Sequence, residues 1–239
     1  MNIPCRLRRA GRVAALVAGC GAVASAAGSA TTCEGYDAFW SALSNPVFRA
    51  ADEKPLDDPQ TFERQSFRAG GALPADCARP APGAHRVEIL GRDMSVDHHP
   101  FPFAHARAFP GEDRAEAGAD ARLFVGAGDV CVQGTAPSSG GTAQRHVHVR
   151  LLLDAFTPRA RRYDLPSLFG SSLALARDVH GIIESPAGAY HTPDGAAASD
   201  GVDFRLWQVR AGRFVKTDAW LRIRFPDPDN VYRFSLLAP

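Results

Sequence analysis

The sequence predicts a mainly β fold, an antiparallel sandwich or barrel of about eight strands with an N-terminal helical segment. Three observations predict it. From residue 86 onward apolar and polar residues alternate with a period of two, the pattern of half-buried strands. Polar loops rich in Gly, Ala, Pro and Ser separate the alternating runs, and strands in such succession favour antiparallel pairing over a parallel sheet. One stretch near residue 36 carries apolar residues at helical spacing.

The chain begins with what reads as a secretory signal sequence over residues 1–30. Arg6, Arg8, Arg9 and Arg12 come first, an apolar run follows from Val13 to about Val23, and small residues crowd Ala24-Ser25-Ala26 and Gly28-Ser29-Ala30. Cleavage after Ala26 or Ala30 fits the small-x-small rule. The run is shorter than the roughly 20 residues of a membrane-spanning helix. Leu16-Val17-Ala18-Gly19-Cys20 resembles the box at which bacterial lipoproteins are cut and lipidated, so two fates stay open: an anchor at Cys20, or release after ordinary cleavage. Twin-arginine export fits poorly, because Ala10, Gly11 and Arg12 follow the arginine pair. The expected location is outside the cytoplasm: periplasmic, envelope-anchored or extracellular.

Residues 31–85 are expected to form a helix and an irregular segment packed on the body. Tyr36, Phe39, Trp40, Leu43 and Val47 line one helical face, and Asn45-Pro46 should end or kink the helix. Beyond residue 52, five prolines and Gly70-Gly71 deny long regular elements, while Phe62, Phe67 and Leu73 offer apolar surface to bury. Residues 86–239 are expected to form the antiparallel β domain, with strands near 86–91, 93–98, 122–133, 145–156, 173–184, 203–210, 213–225 and 231–237. Ala211-Gly212 reads as a tight hairpin turn.

Five cysteines are present. Cys5 and Cys20 belong to the leader, which leaves Cys33, Cys77 and Cys131 in an oxidising compartment. A Cys33–Cys77 disulfide would pin the helical segment to the body, and Cys131, within Val130-Cys131-Val132, reads as a small buried residue. Cys77–Cys131 is the alternative pairing.

Charge excludes one class of partner. Twenty-five arginines against two lysines, with much alanine, reflect a GC-rich coding bias. The full chain carries a net +1, and without the four leader arginines 23 basic residues face 26 acidic ones, a net −3. Such a body is not drawn to nucleic acid. Membrane contact is expected only through a lipid anchor at Cys20. An outer-membrane barrel would allow charges on one strand face, but it is disfavoured by apolar faces too broken for lipid, few aromatic girdle residues and a non-aromatic terminus.

Two candidate sites follow from spacing. His146 and His148, at i and i+2 on a strand, point the same way and could share a zinc or copper ion, with His180 as a third ligand from a neighbouring strand. The tripeptide resembles one in copper/zinc superoxide dismutases, whose glycine-rich surroundings and later histidines this chain lacks. Asp97-His98-His99-Pro100, with His105, reads as a polar loop between aromatic anchors. The second candidate is a patch of Trp207, Trp220, Arg222 and Arg224 on the outer face of the last long hairpin, joined by Arg205, of a kind that suits a protein or carbohydrate partner. There is no Gly-x-Ser-x-Gly elbow, phosphate loop or His-Glu-x-x-His motif. The expectation is therefore an exported binding or accessory protein, of inhibitor or immunity type, with no catalytic residues and no cofactor. Its competitors are a metal-dependent envelope enzyme and a structural envelope lipoprotein.

Overall fold

The computed structural model describes residues 32–42, 45–54, 65–69, 85–90, 93–97, 99–102, 106–110, 121–135 and 145–237. The leader with Cys20, and also Cys77, His98 and His105, lie outside them.

Among the described residues the fold is mostly β and antiparallel, with one α-helix near the N-terminus. Its elements are β1 (Thr32–Glu34), α1 (Tyr36–Ser41), β2 (Glu53–Lys54), β3 (Gln65–Ala69), β4 (His85–Leu90), β5 (Asp93–Val96), β6 (His99–Phe101), β7 (Arg107–Ala108), β8 (Arg122–Val125), β9 (Val130–Thr135), β10 (Val147–Leu153), β11 (Arg161–Asp164), β12 (Ala176–Arg177), β13 (Ile183–His191), β14 (Gly201–Arg210), β15 (Arg213–Arg224) and β16 (Arg233–Leu237). They form three sheets: β1-β16-β15-β14-β13-β12, β2-β8-β9-β10-β11-β7 and β3-β4-β5-β6. The β11–β7 pair is parallel.

The second sheet is the middle layer, and its strands show why. On β8, Phe124 faces one core while Leu123 and Val125 face another. On β9, Cys131 opposes Val130 and Val132, and on β10, Val149, Leu151 and Leu153 oppose Leu152. A strand buried on both faces needs apolar residues at consecutive positions, and Leu123-Phe124-Val125 and Leu151-Leu152-Leu153 supply them. One core lies between the middle sheet and the first, with α1 inserted into it. The other lies beneath β4 and β5, where Val87, Met94 and Val96 are buried.

α1 contributes Tyr36, Phe39 and Trp40, all buried, each worth roughly 1.5–3 kcal/mol of apolar burial. It is shorter than its spacing suggests. The helix closes at Ala42, Asn45 turns left-handed at φ 55° before Pro46, and Val47 donates its N–H to the Leu175 carbonyl at 2.8 Å. Proline lacks an N–H and pushes its predecessor out of the α region, so the helix cannot continue to Val47.

Two expected strands are rearranged. The run 122–133 is a hairpin, β8–β9, turned at Gly126–Asp129, with the Gly126 N–H donating to the Asp129 carbonyl at 2.9 Å. The run 173–184 is mostly not a strand. Ser172–Ala174 form a 3-10 turn capped by the Ser171 hydroxyl. The buried Asp178 carboxylate then accepts the N–H groups of His180 at 2.7 Å and Ile182 at 2.9 Å, which folds 178–182 into a turn. Val179 is consequently 74% exposed, not buried. The strand starts at Ile183 and runs to His191, through residues read as loop.

The β14–β15 hairpin matches its expected turn. Arg210 pairs with Arg213, and Ala211 (φ 47°) and Gly212 (φ 74°) both sit in the left-handed region, as a type I′ turn requires. A bulge between Arg205 and Trp207 bends the hairpin. Beyond the bulge, Trp207 packs edge-on to Phe109 at 4.9 Å, and Phe214 meets Phe109 at 5.2 Å and Tyr163 at 6.0 Å. The first sheet thus curls over the edge of the middle one.

Candidate functional site

A cleft of about 480 Å³ opens where β1 turns into α1. Its walls are Glu34–Ala38, Arg122 at the start of β8, Gln133 on β9, Arg145 and Val147 at the start of β10, Phe169-Gly170, and Tyr232 just before β16. Its size lies within the few-hundred to 1,000 Å³ range of small-molecule sites.

Each wall is fixed by backbone or core contacts. The Gly35 N–H donates to the Tyr232 carbonyl at 2.8 Å, joining the two rims. Tyr36 stacks on Phe169 at 4.1 Å and Phe234 at 4.7 Å, and its hydroxyl donates to the Val231 carbonyl at 3.0 Å. Burial raises the Tyr36 pKa, so that hydroxyl remains a proton donor. The Trp40 indole N–H, from α1, donates to the Phe169 carbonyl at 3.3 Å. Phe169 has φ 51°, an uncommon conformation for a bulky residue. Gly170 follows it where a Cβ would stand 2.7 Å from the Pro166 carbonyl oxygen and 2.8 Å from that of Val147. No larger residue fits without moving backbone.

The polar groups of the cleft divide into committed and uncommitted. Arg122 is committed: its Nε and Nη2 donate to Glu53 at 2.9 and 2.7 Å, and its Nη1 pairs with Asp37. Hydrogen bonding to Glu53, then to Asp37, raises the Arg122 pKa further. Asp37 also accepts the Ser171 hydroxyl at 2.8 Å. Arg145 is different. The Phe169 N–H donates to its carbonyl at 2.7 Å, which anchors its backbone, while among the described residues its guanidinium donates only to the Tyr190 hydroxyl, at 3.2 Å. Among the described residues no carboxylate pairs with it. Gln133, 5% exposed, accepts the Ser172 N–H on its Oε1 at 2.6 Å, which leaves its amide NH₂ as a donor at the cleft wall.

The residues singled out by spacing sit elsewhere. His146 Nδ1 lies 2.9 Å from the Ser167 hydroxyl, and Ser167 is 2% exposed, closed to any substrate. His180 is in the exposed turn after β12 rather than on a strand beside His146 and His148. No group of three His, Cys, Asp or Glu side chains among the described residues could hold a metal ion. The histidine metal centre is therefore not assembled by these residues, because the Asp178 turn removes the strand that was to carry the third ligand.

The hairpin patch forms in part. Arg205 pairs across the ladder with Trp220, and the guanidinium groups of Arg205 and Arg222 lie 5.9 and 5.6 Å from the Trp220 ring. Arg222 is held bidentately by Asp203, and Arg224 faces Asp200, which also binds His191 at 2.6 Å. Trp207 leaves the patch, carried by the bulge onto Phe109. What remains is one tryptophan whose neighbouring arginines are largely neutralised by this chain's own carboxylates.

Among cysteines, Cys131 is a buried free thiol. It receives the Ser172 hydroxyl at 3.0 Å, and burial pushes its pKa up to about 12. Cys33 is disulfide-bonded, and no disulfide has both ends among the described residues.

Sequence reasoning missed the cleft. Its members span Glu34 to Tyr232, and only the fold joins them. Tyr36, read as part of a buried helical face, is the cleft residue that the sequence singled out. No family model matches the chain, and neither a curated protein nor a solved structure matches it.

Proposed function

We propose that this chain is an exported, non-catalytic binding protein that takes a small ligand in the cleft between the β1–α1 corner and the start of β10. The cleft carries the reading: about 480 Å³ of space, an aromatic wall of Tyr36, Phe169 and Tyr232, and convergent polar groups in Arg145 and Gln133. The aromatic wall is held from behind by Trp40 and Phe234, so little ordering remains to oppose binding.

Export rests on the leader, and the open choice between lipidation at Cys20 and release decides whether the site is tethered. A Cys33–Cys77 disulfide fits the same compartment.

The reading is tested by titrating a fragment library of aromatic and aliphatic small molecules against isotope-labelled protein and following amide resonances. Binders should shift Gly35, Gly170 and Tyr232. Binders that map only to other surfaces, or a library without binders at millimolar concentration, would refute the cleft as a site. Export is tested by fractionation with N-terminal mass mapping. Full-length, uncut protein in the cytosol would overturn it, and Cys20→Ser should move the protein from membrane to soluble fraction if the anchor is used.

A further inference from the structure

The charge arrangement of the cleft narrows its ligand, on the premise that the cleft is a binding site. Two guanidinium groups border it, and they are not equivalent. Arg122 is saturated by Glu53 and Asp37. Arg145 has one neutral hydrogen-bond partner, the Tyr190 hydroxyl, and no ion pair among the described residues. Its fork retains donors suited to a planar oxyanion. Gln133, buried at 5% exposure, adds an amide donor from the wall. Arg122 faces two carboxylates, Asp37 and Glu53, so this rim keeps excess negative charge beside the exposed Glu34, whose partner Arg233 is 4.0 Å away, and a second negative charge on the ligand is disfavoured. Phe169, Val147 and Tyr232 supply apolar surface for the remainder of the ligand.

We propose that the cleft selects a small aromatic monocarboxylate, its carboxylate held by Arg145 with Gln133 and its ring against Phe169 and Tyr232. A phosphate dianion would meet the rim carboxylates, and a cation would meet an uncompensated guanidinium. Neither fits as well.

The test uses benzoate and phenylacetate as probes, with benzamide as the neutral isostere, benzylammonium as the cation and phenyl phosphate as the dianion. Affinities are read by calorimetry and resonance shifts. The carboxylates should bind at least about tenfold more tightly than benzamide, the difference expected of a charged hydrogen bond. Arg145→Gln should abolish that difference, and Arg145→Lys should retain part of it. Unchanged melting of both variants separates loss of the charge from loss of the fold. Gln133→Leu should weaken the carboxylates more than benzylammonium. Equal affinity for benzoate and benzamide, tighter binding of phenyl phosphate, or an Arg145→Gln variant that still prefers carboxylates would overturn the proposal while leaving the cleft a binding site. If no probe shifts the cleft resonances, while unrelated fragments do, the carboxylate class alone falls. If nothing shifts them, the cleft reading falls with it.

Discussion

Gly170→Ala probes how tightly the cleft wall is built. The added methyl would stand 2.7, 2.8 and 3.1 Å from the carbonyl oxygens of Pro166, Val147 and Ser167. All three belong to backbone, so no side chain can swing away. Either the 166–170 segment lifts off β10 or the oxygens move. Three hydrogen bonds depend on that contact: Phe169 N–H to the Arg145 carbonyl at 2.7 Å, Val147 N–H to Ser167 at 3.0 Å, and Gly170 N–H to Ser167 at 2.8 Å. Overpacking costs about 1–3 kcal/mol, and each strained bond adds up to about 1 kcal/mol. A loss of about 2–3 kcal/mol follows, and at roughly 2–4 °C per kcal/mol in a domain of this size the melting temperature should fall by roughly 5–10 °C. Gly128→Ala is the control, because no atom lies within 4 Å of its added methyl. The assay is thermal and urea unfolding of both variants beside the parent. A Gly170→Ala protein within about 0.5 kcal/mol of the parent would refute the reasoning, since the cleft wall would then be soft enough to absorb a methyl.

Three other outcomes are expected. Ala211→Asn should raise the melting temperature by roughly 1–4 °C, because asparagine tolerates the left-handed φ of 47° better than alanine; an unchanged or lower value would count against the turn. Cys131 should resist thiol-reactive disulfide reagents at mildly alkaline pH in the folded protein and react on unfolding, since burial holds its pKa near about 12; rapid native labelling would contradict that burial. Hydrogen bonding from Arg222 holds the Asp203 carboxyl below its ordinary value. Its stabilisation is therefore complete above the unfolded pKa of about 3.9 and lost as pH falls through the lower folded value. The stability gap between the parent and Asp203→Asn should close on acidification below about pH 4; a gap independent of pH would show that the ion pair does not create it.

The fold class was legible because one core is written in period two along β10, β14 and the end of β15, and because Ala211-Gly212 marks its own turn; earlier on β15 the alternation fails, with Val215 42% exposed and Phe214 packed inward. Less legible were elements whose pairing is set by single side chains. Nothing in the alternation of Leu173, Leu175, Val179 and Ile183 announces that Asp178 will accept two backbone N–H groups and fold the run into a turn. The metal hypothesis depended on that run being a strand. The Trp/Arg patch was half visible: alternation places Trp220 beside Arg222, but the bulge that removes Trp207 is a property of the ladder. Apart from Tyr36 the cleft left no local trace, since Arg145 stands out only by having no carboxylate partner among the described residues.

The pairing of β1 with β16, Thr32 opposite Ser235 and Glu34 opposite Arg233, sets an order of assembly. Among the described residues β1 has no neighbour in its sheet but β16. Whether the chain emerges from a ribosome or threads a translocation pore, Gly35 must wait for Tyr232, and Tyr36 for Val231, 195 residues on, and for Phe234. Closing so long a loop is slow. The cleft rim is therefore not complete until β16 has docked on β1.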